Sequence, residues 1–425
     1  MHSGDSGLVD GARRRVVPRL MPLPSHDPSS VAQAPRREGQ TPPAASCAGG
    51  GEDCAKTQAA AEPQALPRRL GPRPLAVHLL QARRAAVSGE EPGLLEDFLC
   101  GVRRYWAHPY RRRQTPCPVL WSSGPARLLD HGPPDGWPVL VVPSLINRAT
   151  ILDLMPGRSL VRHLAGHGLR PLLLEWGEPG PAERRMTLDD HIVQHLGGAL
   201  AALQAEGLPR PVVLGYCMGG LLAVALATLH RERIAGLALL AVPWDFHAGD
   251  PALARAIGQG PVPWLGEALG GLPVDVLQLL FAALDPLQVP RKFARFARRD
   301  PTSAEAVAFV AVEDWLNNGV ALGGEVARAC LAGWYGANQP ARGAWRVAGR
   351  PIRPEALALP ALVAIPERDR IVPPASAAAL AESLPGATVL RPRGGHIAMI
   401  VGAAAERDLW RPLAAWLRQV AAMQE

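Results

Sequence analysis

The stretch Val212-Val213-Leu214-Gly215-Tyr216-Cys217-Met218-Gly219-Gly220-Leu221-Leu222 runs from an apolar segment, through a glycine-flanked turn, into a run of small and apolar residues. It reads as a buried strand, a tight turn and a helix. The glycines matter because a side chain at Cys217 then sits in a strained turn, and the neighbouring backbone must pass without a Cβ clash. Such a turn lifts the sulfur to the N-terminus of the next helix, where the dipole favours thiolate. This is the pattern of a nucleophile elbow, with cysteine where serine usually stands. Taken alone it also describes a buried structural cysteine, because glycine-rich turns are common.

Two downstream motifs make the first reading the better one. The strand-like Leu362–Ile365 leads into Glu367-Arg368-Asp369-Arg370-Ile371-Val372-Pro373, which places acids just past a strand end. Gly394-Gly395-His396-Ile397 follows the strand-like Ala387–Leu390, and His396 is the only histidine after His247. The order nucleophile, acid, histidine is that of the α/β-hydrolase fold. His396 would take the thiol proton, and Asp369 would hold the imidazole in its tautomer. Glu367 is the rival acid. The oxyanion of an acyl intermediate needs fixed N–H donors. One is expected from the backbone of Met218, the other from Leu145 or Ile146 in the loop after the apolar run Val139–Val142.

Working outward, apolar runs at Val139–Val142, Pro171–Glu175, Pro211–Gly215, Gly236–Val242 and Pro360–Ile365 alternate with amphipathic segments such as Thr187–Glu206 and Met218–His230. This predicts a mostly parallel central sheet flanked by helices, with a leading hairpin at Val119–Trp121 and Ala126–Asp130. The core divides into 118–243 and 351–425 around a helical cap, 244–350, inserted over the carboxyl ends of the strands, where open α/β sheets bind ligands. The cap's Trp244, Trp264, Trp315, Trp334 and Trp345 are its core or the lining of an acyl groove. Residues 75–117 read as a helical segment ending in Arg111-Arg112-Arg113, taken as solvated in preference to a docking edge for an anionic substrate. Residues 1–74, rich in Pro, Gly, Ala and Arg, read as a disordered tail in which Cys47 and Cys54 have no assigned role.

A 425-residue chain that is 48% hydrophobic is expected to bury one large core. The net charge of +7 is carried almost wholly by arginine, since Lys56 and Lys292 are the only lysines. The arginines are scattered and lack the aromatic interleaving of a nucleic-acid surface, so no nucleic-acid partner is expected. Six cysteines without metal-ligand spacing point to a reducing compartment. No signal peptide or transmembrane segment is read, and the expected location is cytoplasmic. The pairs His163/His167 and His191/His195 share helical spacing but lack a third ligand, and no metal is expected.

These motifs resemble those of the polyhydroxyalkanoate synthases. Gly215-Tyr216-Cys217-Met218-Gly219-Gly220 is similar to their lipase-like box with cysteine, and Pro143-Ser144-Leu145-Ile146-Asn147-Arg148 to the segment after their third strand. Ser159–Arg162, Glu175–Gly177, Thr187–Ile192, Asp369–Pro373 and Gly395–Ile397 continue the likeness. The resemblance implies polymerisation of (R)-3-hydroxyacyl-CoA, with the polyester chain held as a thioester on Cys217, His396 as base and Asp369 as acid. It implies no cofactor beyond coenzyme A as the substrate's carrier, a homodimer, and a place at the granule surface. The cap, with Glu313–Gly319, is only loosely similar. An intracellular depolymerase or acyl thioesterase with the same triad, and a catalytically silent granule-associated relative, are the alternatives.

Overall fold

A computed structural model describes residues 69–113 and 115–424. The central sheet has eight strands: β1 (Val119–Ser123), β2 (Ala126–Asp130), β3 (Trp137–Val142), β4 (Leu169–Glu175), β5 (Val212–Tyr216), β6 (Gly236–Leu240), β7 (Ala361–Ala364) and β8 (Thr388–Leu390). Their spatial order is β1-β2-β4-β3-β5-β6-β7-β8. β1 and β2 pair antiparallel, as do β2 and β4, and every pairing from β4 to β8 is parallel. This is the doubly covered, mostly parallel sheet read from the alternation of apolar runs.

The near-continuous apolar character of these strands has a direct cause. Leu140 and Val142 belong to one buried cluster with Val213, Leu237, Leu239 and Val363; Val139 and Val141 belong to another with Val212, Leu214, Leu240 and Leu362. Period-two alternation therefore buries both faces, and each face needs apolar side chains. The helix after β5, here α3 (Met218–Leu229), is buried from Met218 through Ala227, so it forms the centre of one layer and not a surface helix.

Two further helices, α1 (Leu75–Val87) and α2 (Leu94–Ala107), precede the sheet. Between β6 and β7 lies the inserted cap: α4 (Pro251–Gln259), α5 (Pro261–Ala268), α6 (Val274–Leu284), α7 (Gln288–Ala297), α8 (Ala304–Asn317) and a helical run over 324–336. α1 and α2 pack not on the sheet but on the cap. Phe98, Val102 and Tyr105 share a buried cluster with Phe293, Phe296, Ala306 and Val310. Of the cap tryptophans, Trp244, Trp315, Trp334 and Trp345 are buried as core, whereas Trp264 is 68% exposed.

Two expectations are corrected. Residues 69–74, grouped with the tail, are a strap on the domain. The Arg69 guanidinium is buried and pairs with Asp314 at 2.8 Å, and the Tyr105 hydroxyl donates to the same carboxylate at 2.8 Å. Arg73 pairs with Asp275 at 2.8 Å, and its N–H donates to Asn317 Oδ1 at 2.9 Å. Residues this polar are held by charge pairing, which composition does not register. The rest of the tail, with Cys47 and Cys54, lies outside the described residues. Second, Arg111 and Arg112 are only partly exposed and are engaged by backbone carbonyls, while Arg113 is exposed as expected. Arg111 donates to the carbonyls of His108 and Tyr110, and Arg112 donates to those of Asp153 and Leu154, which ties the end of α2 to the core.

Removing one partner of a buried pair strands the other charge. Asp314→Ala is thus expected to destabilise the domain by about 3 kcal/mol, read as a lowered urea midpoint with unchanged slope. A loss below about 1 kcal/mol would mean that the strap is a loose surface contact.

Candidate active site

Cys217 is the hinge between β5 and α3, and its backbone lies at φ 54°, ψ −128°. Few non-glycine residues adopt a positive φ, so the surroundings must hold it there. Its N–H donates to the Leu240 carbonyl at 2.9 Å, and its own carbonyl accepts from Gly220 at 2.9 Å. The glycines leave no room for substitution. A Cβ on Gly215 would strike the Gly220 backbone, one on Gly219 the carbonyls of Val142 and Pro143, and one on Gly220 the side chain of Val242. The close approach at Gly219 also lays the loop after β3 against the start of α3.

The acid and the histidine are delivered by an extension of the β7–β8 ladder. Ile365 N–H donates to Leu390 O at 2.8 Å, Glu367 N–H to Pro392 O at 2.9 Å and Arg368 N–H to Gly394 O at 3.2 Å. The two loops are zipped together, and Asp369 emerges opposite His396. Asp369 Oδ2 lies 2.7 Å from His396 Nδ1, while its Oδ1 accepts from the N–H groups of Ile371 at 2.8 Å and Val372 at 2.9 Å. Both side chains are buried. Glu367 is exposed and its side chain makes no hydrogen bond to this pair. The His396 carbonyl accepts from the Tyr216 hydroxyl at 3.2 Å, which fixes the histidine loop to β5.

Burial alone would lower the His396 pKa. The charge of Cys217, the hydrogen bonds to Asp369 and Cys217, and the charge of Asp369 more than reverse this and raise it to about 10. The structure therefore brings Cys217, His396 and Asp369 together, with a protonated imidazole between two acidic groups. Met218 is the first residue of α3, so its N–H has no intrahelical acceptor. Ile146 N–H is taken up by Ser144 Oγ at 3.2 Å, whereas Leu145 N–H has no acceptor among the described residues.

Next to the acid loop an apolar cleft lies between the core and the cap; Cys217 and His396 are not among its walls. Its walls come from both layers: Ile146, Arg370 and Ile371 from the core loops, and Leu277, Phe281 and Tyr335 from the cap. The tryptophans offered as a groove lining do not face it. Sequence reading missed Tyr335 and Phe246, because a cap of irregular helices carries no periodicity from which the wall of a cleft can be read. Among the described residues no group of three or more His, Cys, Asp or Glu side chains is placed to hold a metal. His191 and His195 instead pack on Trp176, with ring centroids 5.7 and 6.2 Å away. Burial, then the charge of His191, lowers the pKa of His195 to about 4. The four described cysteines outside the tail are all free thiols. No helix among the described residues is long and apolar enough to cross a membrane.

Residues 138–403 match the family described as alpha/beta hydrolase fold, the class that the strand order and the elbow define. Among curated proteins the chain is similar to poly(3-hydroxyalkanoate) polymerase subunit PhaC of Synechocystis sp., 31% identical, with 66% of this chain and 78% of that one covered. It is also similar to the subunits of the same name from Haloferax mediterranei (28% identical, 72% and 64% covered) and Haloarcula marismortui (28%, 71% and 67%). The chain belongs to this PhaC family. It spans about two thirds of the length of the two haloarchaeal relatives.

The raised pKa sets a pH window. A group whose folded pKa lies above its unfolded value of about 6.5 contributes stability that is complete below that pH and is lost as pH rises through the folded value, about 10. Nitrogen-15 NMR at pH 8 is expected to show His396 as imidazolium in the wild type and to lose that signal in Cys217→Ala. A neutral wild-type imidazole at pH 8 would contradict the ion pair.

Proposed function

We propose that this protein is an acyltransferase that polymerises (R)-3-hydroxyacyl groups from their coenzyme A thioesters. The observation that carries the reading is a cysteine at a strained elbow, bonded to a buried His–Asp pair whose acid loop also walls an apolar cleft. Membership of the PhaC family supports it.

The chemistry follows from these groups. The Cys217 thiolate attacks the thioester carbonyl carbon, and the oxyanion that develops accepts hydrogen bonds from the backbone N–H groups of Met218 and Leu145. Leu145 is preferred over Ile146 because its N–H is free. As the tetrahedral intermediate collapses, the carbon–sulfur bond to coenzyme A breaks and the departing thiolate takes the proton held by His396. The acyl group now sits on Cys217 as a thioester, and exchange between two thiols is nearly isoenergetic. His396, neutral again, accepts the proton of an incoming 3-hydroxyl group. That alkoxide attacks the thioester, and an oxygen ester is formed as Cys217 recovers its thiolate. Asp369 keeps the imidazole in the tautomer that presents Nε2 to both partners. No resident cofactor or metal enters this cycle. The polyester product is poorly soluble, so the enzyme works at the surface of the growing granule, and the homodimer is part of this proposal.

Incubation with 3-hydroxybutyryl-CoA, following released coenzyme A and the fate of the acyl group, tests it. Polymer supports a synthase, free acid would make it a hydrolase, and absence of coenzyme A release would exclude both. Cys217→Ala is expected to abolish release with the fold intact, and Cys217→Ser to keep at most a trace, since a hydroxyl is far less acidic than a thiol. Asp369→Asn should slow acylation by one to two orders of magnitude, less than the roughly 10,000-fold of a serine triad, because the thiolate already pairs with His396. Glu367→Gln should leave the rate within about twofold. The reverse pattern would reassign the acid.

A further inference from the structure

The cleft walled by Arg370 and Ile371, just past Asp369, carries one polar side chain that no other described residue engages. Its walls hold four polar or ionisable side chains: Asp250, Cys330, Tyr335 and Arg370. Asp250 accepts from the N–H groups of Ala252 and Leu253 at 3.0 Å, which caps α4. Arg370 pairs with Asp285 at the end of α6. Cys330 is a buried thiol whose pKa burial pushes up, so it stays protonated and behaves as an apolar group. That leaves Tyr335, a half-buried residue of the cleft wall whose phenol makes no hydrogen bond among the described residues.

Its placement is fixed from several sides. The Tyr335 ring meets Phe246 edge to face, with centroids 4.9 Å apart, and Phe246 stacks on Trp334 at 5.8 Å. The Tyr335 carbonyl is bonded to His247 Nε2 at 2.8 Å. The residue lies in a π-helical turn, Ala329–Gly336, a local irregularity often found where a side chain must be aimed at a site. Burial, followed by the charges of Cys217 and Cys330, raises its pKa, so the hydroxyl stays protonated and can donate.

We propose that Tyr335 is the residue that selects 3-hydroxyacyl groups, by donating a hydrogen bond from its phenol to the 3-hydroxyl oxygen of the acyl chain bound for Cys217. The inference rests on the acyl-CoA reading above and refines it. A cleft of aliphatic walls accepts acyl chains by size. It distinguishes a hydroxylated chain from a plain one only if a fixed polar group would otherwise be left without a partner. In this proposal that group is the phenol, and its acceptor is the substrate oxygen two carbons from the reacting carbonyl.

The test is single-turnover release of coenzyme A from 3-hydroxybutyryl-CoA and from butyryl-CoA, in the wild type and in Tyr335→Phe. The phenylalanine ring preserves the packing against Phe246, so both proteins fold alike and the butyryl arm reports any general damage. The variant is expected to lose about 5- to 10-fold in acylation efficiency with the hydroxylated substrate. With butyryl-CoA it should stay within about twofold of the wild type. Equal losses on both substrates, or no loss on either, would overturn the assignment while leaving the acyltransferase reading intact. Failure of the wild type to release coenzyme A from either thioester would overturn that reading and this one together.

Discussion

The backbone of Cys217 is the constraint on which the rest of the site depends. A left-handed φ at a residue with a side chain is unfavourable by about 1–3 kcal/mol, and several features must cooperate to hold it. β5 hands its last hydrogen bond to Leu240 on β6 through the Cys217 N–H. α3 starts at the very next residue and is buried over nearly its whole length, so its position cannot relax to relieve the turn. The absence of side chains at Gly215, Gly219 and Gly220 lets this strand, this helix and the loop after β3 converge on one point. The sulfur is therefore raised above the sheet at a helix N-terminus, next to the loop that carries the Leu145 N–H.

From that fixed point the electrostatics follow. His396 is buried, and an isolated buried imidazole would be neutral. It is protonated because Cys217 and Asp369 flank it, and Asp369 is itself held by the N–H groups of Ile371 and Val372. An acid and a histidine on separate loops would lose this arrangement as the loops moved. Here the ladder continues past β7 and β8, through Glu367 with Pro392 and Arg368 with Gly394, and ties both loops down. In the proposed reaction, a protonated imidazole fixed between Cys217 and Asp369 is the store of the proton that the leaving thiolate takes.

The core was legible in the sequence because strands buried on both faces must be apolar at successive positions, and because an elbow needs glycine where backbones touch. Val139–Val142, Pro211–Gly215 and Gly215-Tyr216-Cys217-Met218-Gly219-Gly220 carry those demands openly. Asp369 and Glu367 were harder to separate, since both lie past the strand end. What divides them is burial: Asp369 turns inward to two backbone donors, and Glu367 is exposed. The strap at 69–74 has the arginine and proline of tail composition, and only the distant Asp275 and Asp314 give those arginines a reason to be ordered. Arg111 and Arg112 are illegible for the same reason, since their acceptors are mostly backbone carbonyls, which no sequence displays.

The strap and the cleft belong to one mechanical argument. Arg73 grips α6 through Asp275 and α8 through Asn317, and Arg69 grips α8 through Asp314. α6 supplies Leu277 and Phe281 to the cleft wall, and the chain leaving α8 bonds Val320 to the carbonyl of Ile146, beside the oxyanion loop. The same α7 and α8 are cemented to α1 and α2 by Phe98, Tyr105, Phe293 and Val310. At the other end of α6, Arg370 pairs with Asp285 and so joins the cap to the residue next to Asp369. The cap is thus anchored at both ends of α6, once by residues before the sheet and once by the acid loop. A polymerase must keep water from a thioester while admitting a new acyl group. For the proposed polymerisation, a cap held at two separated points serves the first of these needs, because its helices are fixed over the cleft from both ends of α6.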